Sequence, residues 1–181
     1  MSVPLVTVTG PAGSGKSTAG REAAQQLGLE YRSAGEVFRA EARRHGMDLA
    51  EFSRYAETHD EVDRTLDDAM LQLARPGRLL DGRLIGALAR RRGIPVLYVV
   101  ITARPHVRFE RLARRDDQSD EEARRLTTAR EASENARYRR LYGIDLEREV
   151  PDLTIDSSDL PAGEVARRLV ASVRELASGA P

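Results

Sequence analysis

The chain of 181 residues contains no cysteine, which excludes disulfides, thiol catalysis and zinc–thiolate sites. Long apolar runs are missing too. The longest, Val96 to Ile101, is far too short to span a bilayer. Neither sign of charge dominates: 29 Lys and Arg face 29 Asp and Glu. A balanced chain argues against a nucleic-acid groove or a membrane surface as the main partner, although a local basic cluster is compatible with it. The three histidines, His45, His59 and His106, show no metal-ligand spacing, and no Ser-His-Asp or Cys-His arrangement is present. The only asparagine is Asn135 and the only lysine is Lys16, so a guanine-reading Asn-Lys-x-Asp motif cannot exist and a GTPase is disfavoured. Met1-Ser2-Val3-Pro4 carries no charged leader region, and the expectation is a soluble, cytoplasmic protein.

What the chain does have is organised around Val3 to Thr18. Leu5, Val6 and Val8, with β-branched Thr7 and Thr9, form the kind of short apolar run buried in a parallel sheet. The pattern G-x-x-x-x-G-K-[ST] follows from Gly10 to Ser17. Then Ala19, Ala23, Ala24 and Leu27 recur at helical spacing until Gly28 stops the helix. Strand, glycine loop and helix together make a phosphate site. The glycines let backbone N–H groups converge on an anion, and the helix start adds unpaired N–H groups and a positive dipole end. Gly10, Pro11, Ala12, Gly13, Ser14, Gly15, Lys16, Ser17 and Thr18 are the candidate cofactor-binding residues. Lys16 can reach the outer phosphates as a flexible point charge, and the Ser17 hydroxyl can ligate Mg²⁺.

Further along, strands alternate with helices. Strands are expected at 29–31, 78–83, 96–101 and 153–156, and helices at 35–45, from Asp48, from 58–61 to about 74, 83–92, 105–115, 119–142 and from Pro161. The last helix is expected to bury Val165, Leu169, Val173 and Leu176, and residues 178–181 to fray. This alternation predicts an α/β fold, one domain over residues 1–181 with a parallel sheet covered on both faces.

Two secondary groups stand out. Asp81 closes a strand, where a carboxylate can face Mg²⁺ or can simply begin a turn; Arg83 can enter the same crevice or lie on the surface. Arg130, Glu134 and Arg137 share one face of the long charged helix, a row whose ordinary meaning is a solvated, salt-bridged face. No general base is evident. An acceptor phosphate monoester needs none, because its second pKa near ~6 leaves it largely dianionic at neutral pH.

The chain resembles the archaeal-type cytidylate kinases, a branch of the P-loop nucleoside monophosphate kinases. The resemblance rests on Gly10 to Thr18, Ser33-Ala34-Gly35-Glu36-Val37-Phe38-Arg39 and Asp81-Gly82-Arg83-Leu84-Ile85-Gly86. It continues through Arg130-Glu131-Ala132-Ser133-Glu134, Arg137-Tyr138 and Tyr142-Gly143-Ile144-Asp145. It implies a three-layer αβα P-loop fold with a five-stranded sheet of order 2-3-1-4-5, acceptor-binding helices at about 35–75 and a lid helix at about 117–142. It implies transfer of the ATP γ-phosphoryl group to CMP or dCMP with Mg²⁺ held by Ser17 and Asp81, in a monomer or dimer. Arg39, Gly82 and Arg83 would then hold the acceptor phosphate and Ser33 would line the acceptor pocket. Lys16, Arg130 and Arg137 would act on the transferring group, with Glu134 orienting them or touching the acceptor sugar, and Arg111 or Arg115 would flank the ATP base. The chain departs from the family pattern at Asp81, where a glutamate is usual, and at Ala87, where a tryptophan is common. Two other readings stay open at this point: a kinase for another nucleotide or small metabolite, and a nucleotide-binding regulatory module.

Overall fold

The computed structural model describes residues 4–178, without the side chains of residues 49, 50, 177 and 178. The expectations for Val3, for Leu49 on one face of the helix from Asp48 with Phe52 and Ala56, and for fraying at 179–181 fall outside the described residues, the Leu49 side chain being among those not described. Five strands form one parallel sheet: β1 (Leu5–Thr9), β2 (Glu30–Ser33), β3 (Arg78–Asp81), β4 (Val96–Thr102) and β5 (Leu153–Asp156). Their order is β2-β3-β1-β4-β5, the order expected. Chain order and sheet order part company at β1, so the strands on its two sides leave by opposite faces and a crevice opens at their carboxyl ends.

β1 lies in the middle and is buried at every position. Its two threonines are satisfied internally, Thr7 donating to the Leu97 carbonyl and Thr9 to the Val99 carbonyl, each at 3.4 Å. Side chains alternate across the sheet. Val6, Val8, Val99 and Ile101 pack against α1 (Lys16–Leu27) and α8 (Ala162–Ser178). Leu5 and Leu80 face the other way, toward Met70 of α4 (Asp60–Gln72) and Ile85 of α5 (Ile85–Arg91). Tyr98 lies on that side as well, with Leu84, Leu88 and Ile144.

Between β2 and β3, α2 (Ala34–Arg44), α3 (Leu49–Thr58) and α4 enclose an apolar cluster of their own: Ala42, Phe52, Ala56, Val62 and Leu66. Asp48 and Glu51 close a reciprocal capping box at the start of α3. After β4, α6 (Pro105–Asp116) starts on a proline and α7 (Asp120–Tyr142) starts on Ser119, whose hydroxyl accepts from the Glu122 N–H. α6 and α7 join through Leu112, Ala113 and Ala123.

One expected core position is corrected: Leu176 is 57% exposed, although Val165, Leu169 and Val173 are buried. α1 and α8 both leave the carboxyl ends of their strands, but α1 has 12 residues and α8 has 17. At 1.5 Å of rise per residue, the last turn of α8 runs past the helix that should cover it.

Gly86 shows how tightly α5 approaches the sheet. A Cβ there would lie 2.2 Å from the Tyr98 ring and 2.9 Å from the Thr7 hydroxyl, and neither neighbour has room to retreat. Alanine would gain about 1 kcal/mol of helix propensity, but overpacking costs about 1–3 kcal/mol and a clash this close falls at the upper end. Gly86→Ala is therefore expected to lower the free energy of urea unfolding by about 1–2 kcal/mol. An unchanged or raised midpoint would contradict this packing.

Candidate active site

The glycine loop spans the gap between β1 and α1 at the centre of the crevice. Gly10 and Gly13 are needed for close approach: a Cβ would come within 2.0 Å of the Ile101 carbonyl at the first and 2.5 Å of the Arg108 carbonyl at the second. Gly15 is different. Its φ is +81°, and nothing of the protein stands within 4 Å of where a Cβ would be. It caps α1 without any side-chain bond, so the first N–H groups of the helix remain available to an anion.

Two later helices brace the loop. Arg108 on α6 donates to the Ala12 carbonyl at 2.9 Å and to Glu131 of α7 at 2.8 and 3.3 Å. Glu131 in turn accepts from the Ala12 N–H at 3.2 Å. Arg111 holds the Ser157 hydroxyl at 3.0 Å and its carbonyl at 2.8 Å, and Ser157 donates to the Ser14 carbonyl at 2.8 Å. Arg108, Glu131 and Ser157 were not visible as site residues in the sequence. Their contacts join positions 96, 119 and 143 residues apart, and no local pattern announces them.

Lys16 heads α1 and points into a dense set of charges. Burial holds its ammonium below the ordinary lysine pKa; Asp81 and Glu134 oppose that shift, and Arg83 and Arg130 add to it. Asp81, at the end of β3, is only 2% exposed. Its Oδ2 accepts from the Tyr31 hydroxyl at 2.7 Å, while Oδ1 is buried with no partner. Burial first and the Asp81 charge second push the Tyr31 phenol well above its usual range. The unpaired Oδ1 and the exposed Ser17 hydroxyl suit a hard cation. No group of three or more His, Cys, Asp or Glu among the described residues could hold a metal alone. A cation here would draw most of its ligands from phosphate and water, as Mg²⁺ does.

Glu134, buried on α7, ties two arginines together. Arg83 Nη1 donates to its Oε2 at 2.9 Å and Arg130 Nε to its Oε1 at 2.7 Å. Arg83 also reaches the Asn135 side chain at 3.3 Å, and its Nε is buried without a partner. The Arg130 side chain remains 70% exposed, with its outer nitrogens uncommitted. Arg137, one turn on, turns instead to α4, donating from Nε to Asp63 at 2.6 Å and from Nη1 to Ser133 at 2.7 Å.

Lys16, Asp81, Arg83, Arg130 and Glu134 thus converge, with Ser17 at the rim. Arg39 does not join them. It is exposed on α2, with Nη1 over Gly35 and no hydrogen bond or ion pair to the described residues. Ser33 uses its hydroxyl to cap α2, accepting from the Gly35 N–H at 3.2 Å. Gly82 donates its N–H to the Val8 carbonyl at 3.2 Å, which keeps Arg83 at the strand end. Arg115 is exposed and paired with Asp116. A groove of about 780 Å³ on α6 and α7, lined by His106, Phe109 and Arg124 among others, contains none of the candidate residues. Charge and geometry locate the site, not cavity size.

A parallel sheet in this order, with a glycine loop on its middle strand and a lysine heading the next helix, defines a P-loop phosphotransferase. Residues 6–139 match a family model described as AAA domain. Solved structures agree on the fold: a shikimate kinase from Bacteroides thetaiotaomicron has a TM-score of 0.64 at 15% identity, covering 94% of this chain and 98% of its own. A gluconokinase from Sinorhizobium meliloti has 0.62 at 17%, covering 98% and 95%. Within that class the sequence relatives are closer. A cytidylate kinase of Pyrobaculum arsenaticum is 38% identical over 165 residues, 90% of this chain and 89% of the relative. One from Methanocaldococcus jannaschii is 38% identical over 157 residues, 85% and 88%. The chain belongs to the cytidylate kinase family.

Behind Arg83, the Asp67 carboxyl on α4 has its pKa pushed up to about 7, by burial first, with Asp63 and Asp68 adding to the shift and Tyr142 and Arg137 opposing it. In the unfolded chain it ionises near the ordinary 3.8. Between these values the folded state holds a proton that the unfolded state has lost, so rising pH destabilises the fold through this group. Asp67→Asn cannot ionise and escapes that loss. Its stability relative to wild type is expected to improve between about pH 4 and about pH 8, by at most about 4 kcal/mol. Urea unfolding at the two pH values measures the change, and a pH-independent difference would contradict the shift.

Proposed function

We propose that the protein transfers the γ-phosphoryl group of ATP to CMP or dCMP, giving the diphosphate. The observation that carries this reading is the meeting of Lys16 with Arg83 and Arg130 across Asp81 and Glu134, at the mouth of an uncapped helix. A nucleotide switch has use for the loop and the lysine. It has none for two further guanidinium groups aimed at the same point.

The chemistry follows from positions and charges. The backbone N–H groups of the loop and of the first turn of α1 cradle the donor phosphates, with Lys16 on the outer two. Ser17 and Asp81 Oδ1 would hold Mg²⁺, which supplies neutralising charge on the donor phosphates. Arg83 holds the acceptor phosphate, joined by Arg39 once α2 brings it inward. Arg130, fixed at Nε by Glu134, turns its outer nitrogens to the charge that develops on the transferring group. The acceptor oxygen is already anionic, so no side chain needs to take a proton.

Phosphate charge beside Lys16 reverses the effect of burial and keeps the ammonium protonated. A guanidinium in its place is planar and too wide for the gap between phosphates. Lys16→Arg is therefore expected to fold, with an unchanged far-ultraviolet spectrum, and to lose at least about 100-fold in turnover. The measurement is the initial rate of ADP formation with CMP, dCMP, UMP and AMP as acceptors. Near-normal activity in the variant would refute the role of Lys16. Equally poor rates of the wild type on all four acceptors would refute the acceptor class.

A further inference from the structure

Tyr31 lies on β2 opposite Leu79 of β3, and Ser33, two residues on, lies opposite Asp81. Side chains alternate along a strand, so these four face the same side of the sheet, the side that α1 covers. There the Tyr31 ring packs against the apolar cluster under α1. The helix runs close over it: the ring edge is 3.5 Å from where a Cβ on Gly20 would be, and the Arg21 guanidinium is 4.8 Å from the ring centre. Held in this way, the half-buried side chain reaches the carboxyl end of the sheet and donates its hydroxyl proton to Asp81 Oδ2 at 2.7 Å.

That bond satisfies only half of Asp81. The carboxylate forms no ion pair among the described residues, and its Oδ1 is buried without a partner. Buried polar atoms of folded proteins are almost always paired, so a fold that needed only a satisfied carboxylate would close both oxygens. Here one oxygen is anchored and the other is left for a ligand. The anchor matters because the outer torsion of an aspartate is soft, with broad wells. Among the charges around Lys16, Asp81 acts on the ammonium most strongly. An unanchored carboxylate would swing toward that ammonium, lose its aim and draw the lysine off the phosphates. The Ser17 hydroxyl stands beside the same phenol, so the anchored carboxylate and the second candidate cation ligand serve one point.

We infer that Tyr31 is a positioning residue for the cation that accompanies ATP: its hydroxyl holds Asp81 Oδ2 so that Oδ1 faces the metal and not Lys16. The inference rests on the reading of this crevice as a Mg²⁺–ATP site. Tyr31 itself touches neither nucleotide nor metal, and its effect passes through Asp81. A hydrogen bond to an ionised acceptor is short and strong, which suits it to fixing a carboxylate. Carboxylates that ligate metals are commonly held by such partners, and losing one typically costs about 10–100-fold in metal affinity or activity. Tyrosine suits the task here. A phenol carries its donor on a rigid ring, and that ring spans the distance from the middle of β2 to the end of β3 while burying its apolar body under α1.

The test measures the affinity of Mn²⁺, a paramagnetic stand-in for Mg²⁺, for the protein–ATP complex without any acceptor, in wild type and Tyr31→Phe. The substitution keeps the ring and its packing and removes only the hydroxyl. Mn²⁺ is expected to bind at least about tenfold more weakly, while metal-free ATP binds as before. In turnover, the Mg²⁺ concentration for half-maximal rate should rise by a similar factor, excess Mg²⁺ should restore the rate, and KM for CMP should not move. A folded variant with unchanged Mn²⁺ affinity overturns the assignment, whatever its urea midpoint; so does one that loses metal-free ATP in equal measure. If Tyr31→Phe does not fold, Asp81→Asn and the double variant decide. A hydroxyl that acts through Asp81 adds little to the loss in Asp81→Asn, and a further tenfold or so overturns the assignment. A wild-type complex that holds Mn²⁺ no more tightly than free ATP overturns it together with the metal site. Failure of the wild type to phosphorylate any nucleotide overturns the kinase reading alone, because the Mn²⁺ measurement requires no acceptor.

Discussion

Everything in this structure depends on like charges being held together at the carboxyl end of the sheet. Lys16, Arg83 and Arg130 would repel one another in a half-desolvated place were it not for Asp81 and Glu134 between them. Glu134 makes the compromise possible, since each oxygen takes a different arginine and both forks keep nitrogens to spare. Incoming phosphates find these cations already oriented, with little reorganisation left at the moment of transfer.

The scaffold keeps that arrangement in register. The fully buried β1 fixes where the loop begins, and the Arg108–Glu131 pair fixes where it turns by gripping both polar groups of Ala12. Because Glu131 and Glu134 lie one turn apart on α7, one helix braces the loop and orients the arginines. Any shift of α7 would alter both together. The α2–α4 layer, with an apolar cluster of its own, presents a second wall that meets α7 through the Arg137–Asp63 and Arg140–Asp60 ion pairs, while Leu71 of α4 shares an apolar cluster with Tyr138 and Tyr142 of α7.

Much of this was legible in the sequence, for physical reasons. Fully buried parallel strands carry unbroken apolar runs, and Gly28, Gly143, Asp48 and Pro105 mark helix ends through local backbone chemistry, so the elements and their order could be written down early. The loop was legible because a cradle for phosphate needs glycines at fixed offsets. Partners distant in sequence were not. Arg108 looks like any helical arginine until the fold brings Ala12 beneath it, and Asp67 looks like a solvated helix residue until α7 covers it. Leu176 misled because periodicity tells which face of a helix is apolar and not how far the neighbouring helix extends. The Arg130, Glu134, Arg137 row was seen as a row, but its two arginines serve different walls, which spacing alone does not encode.

The central claim is that donor and acceptor phosphates meet end to end over Lys16 and Arg83. It is tested most directly by calorimetric binding of an adenosine and a cytidine joined through a pentaphosphate chain, in the presence of Mg²⁺. If both pockets open onto one phosphate line, the linked molecule gains from each and should bind at least about 100-fold more tightly than ATP alone, displacing both ATP and CMP. Affinity no greater than that of ATP, or failure to displace CMP, would contradict the account.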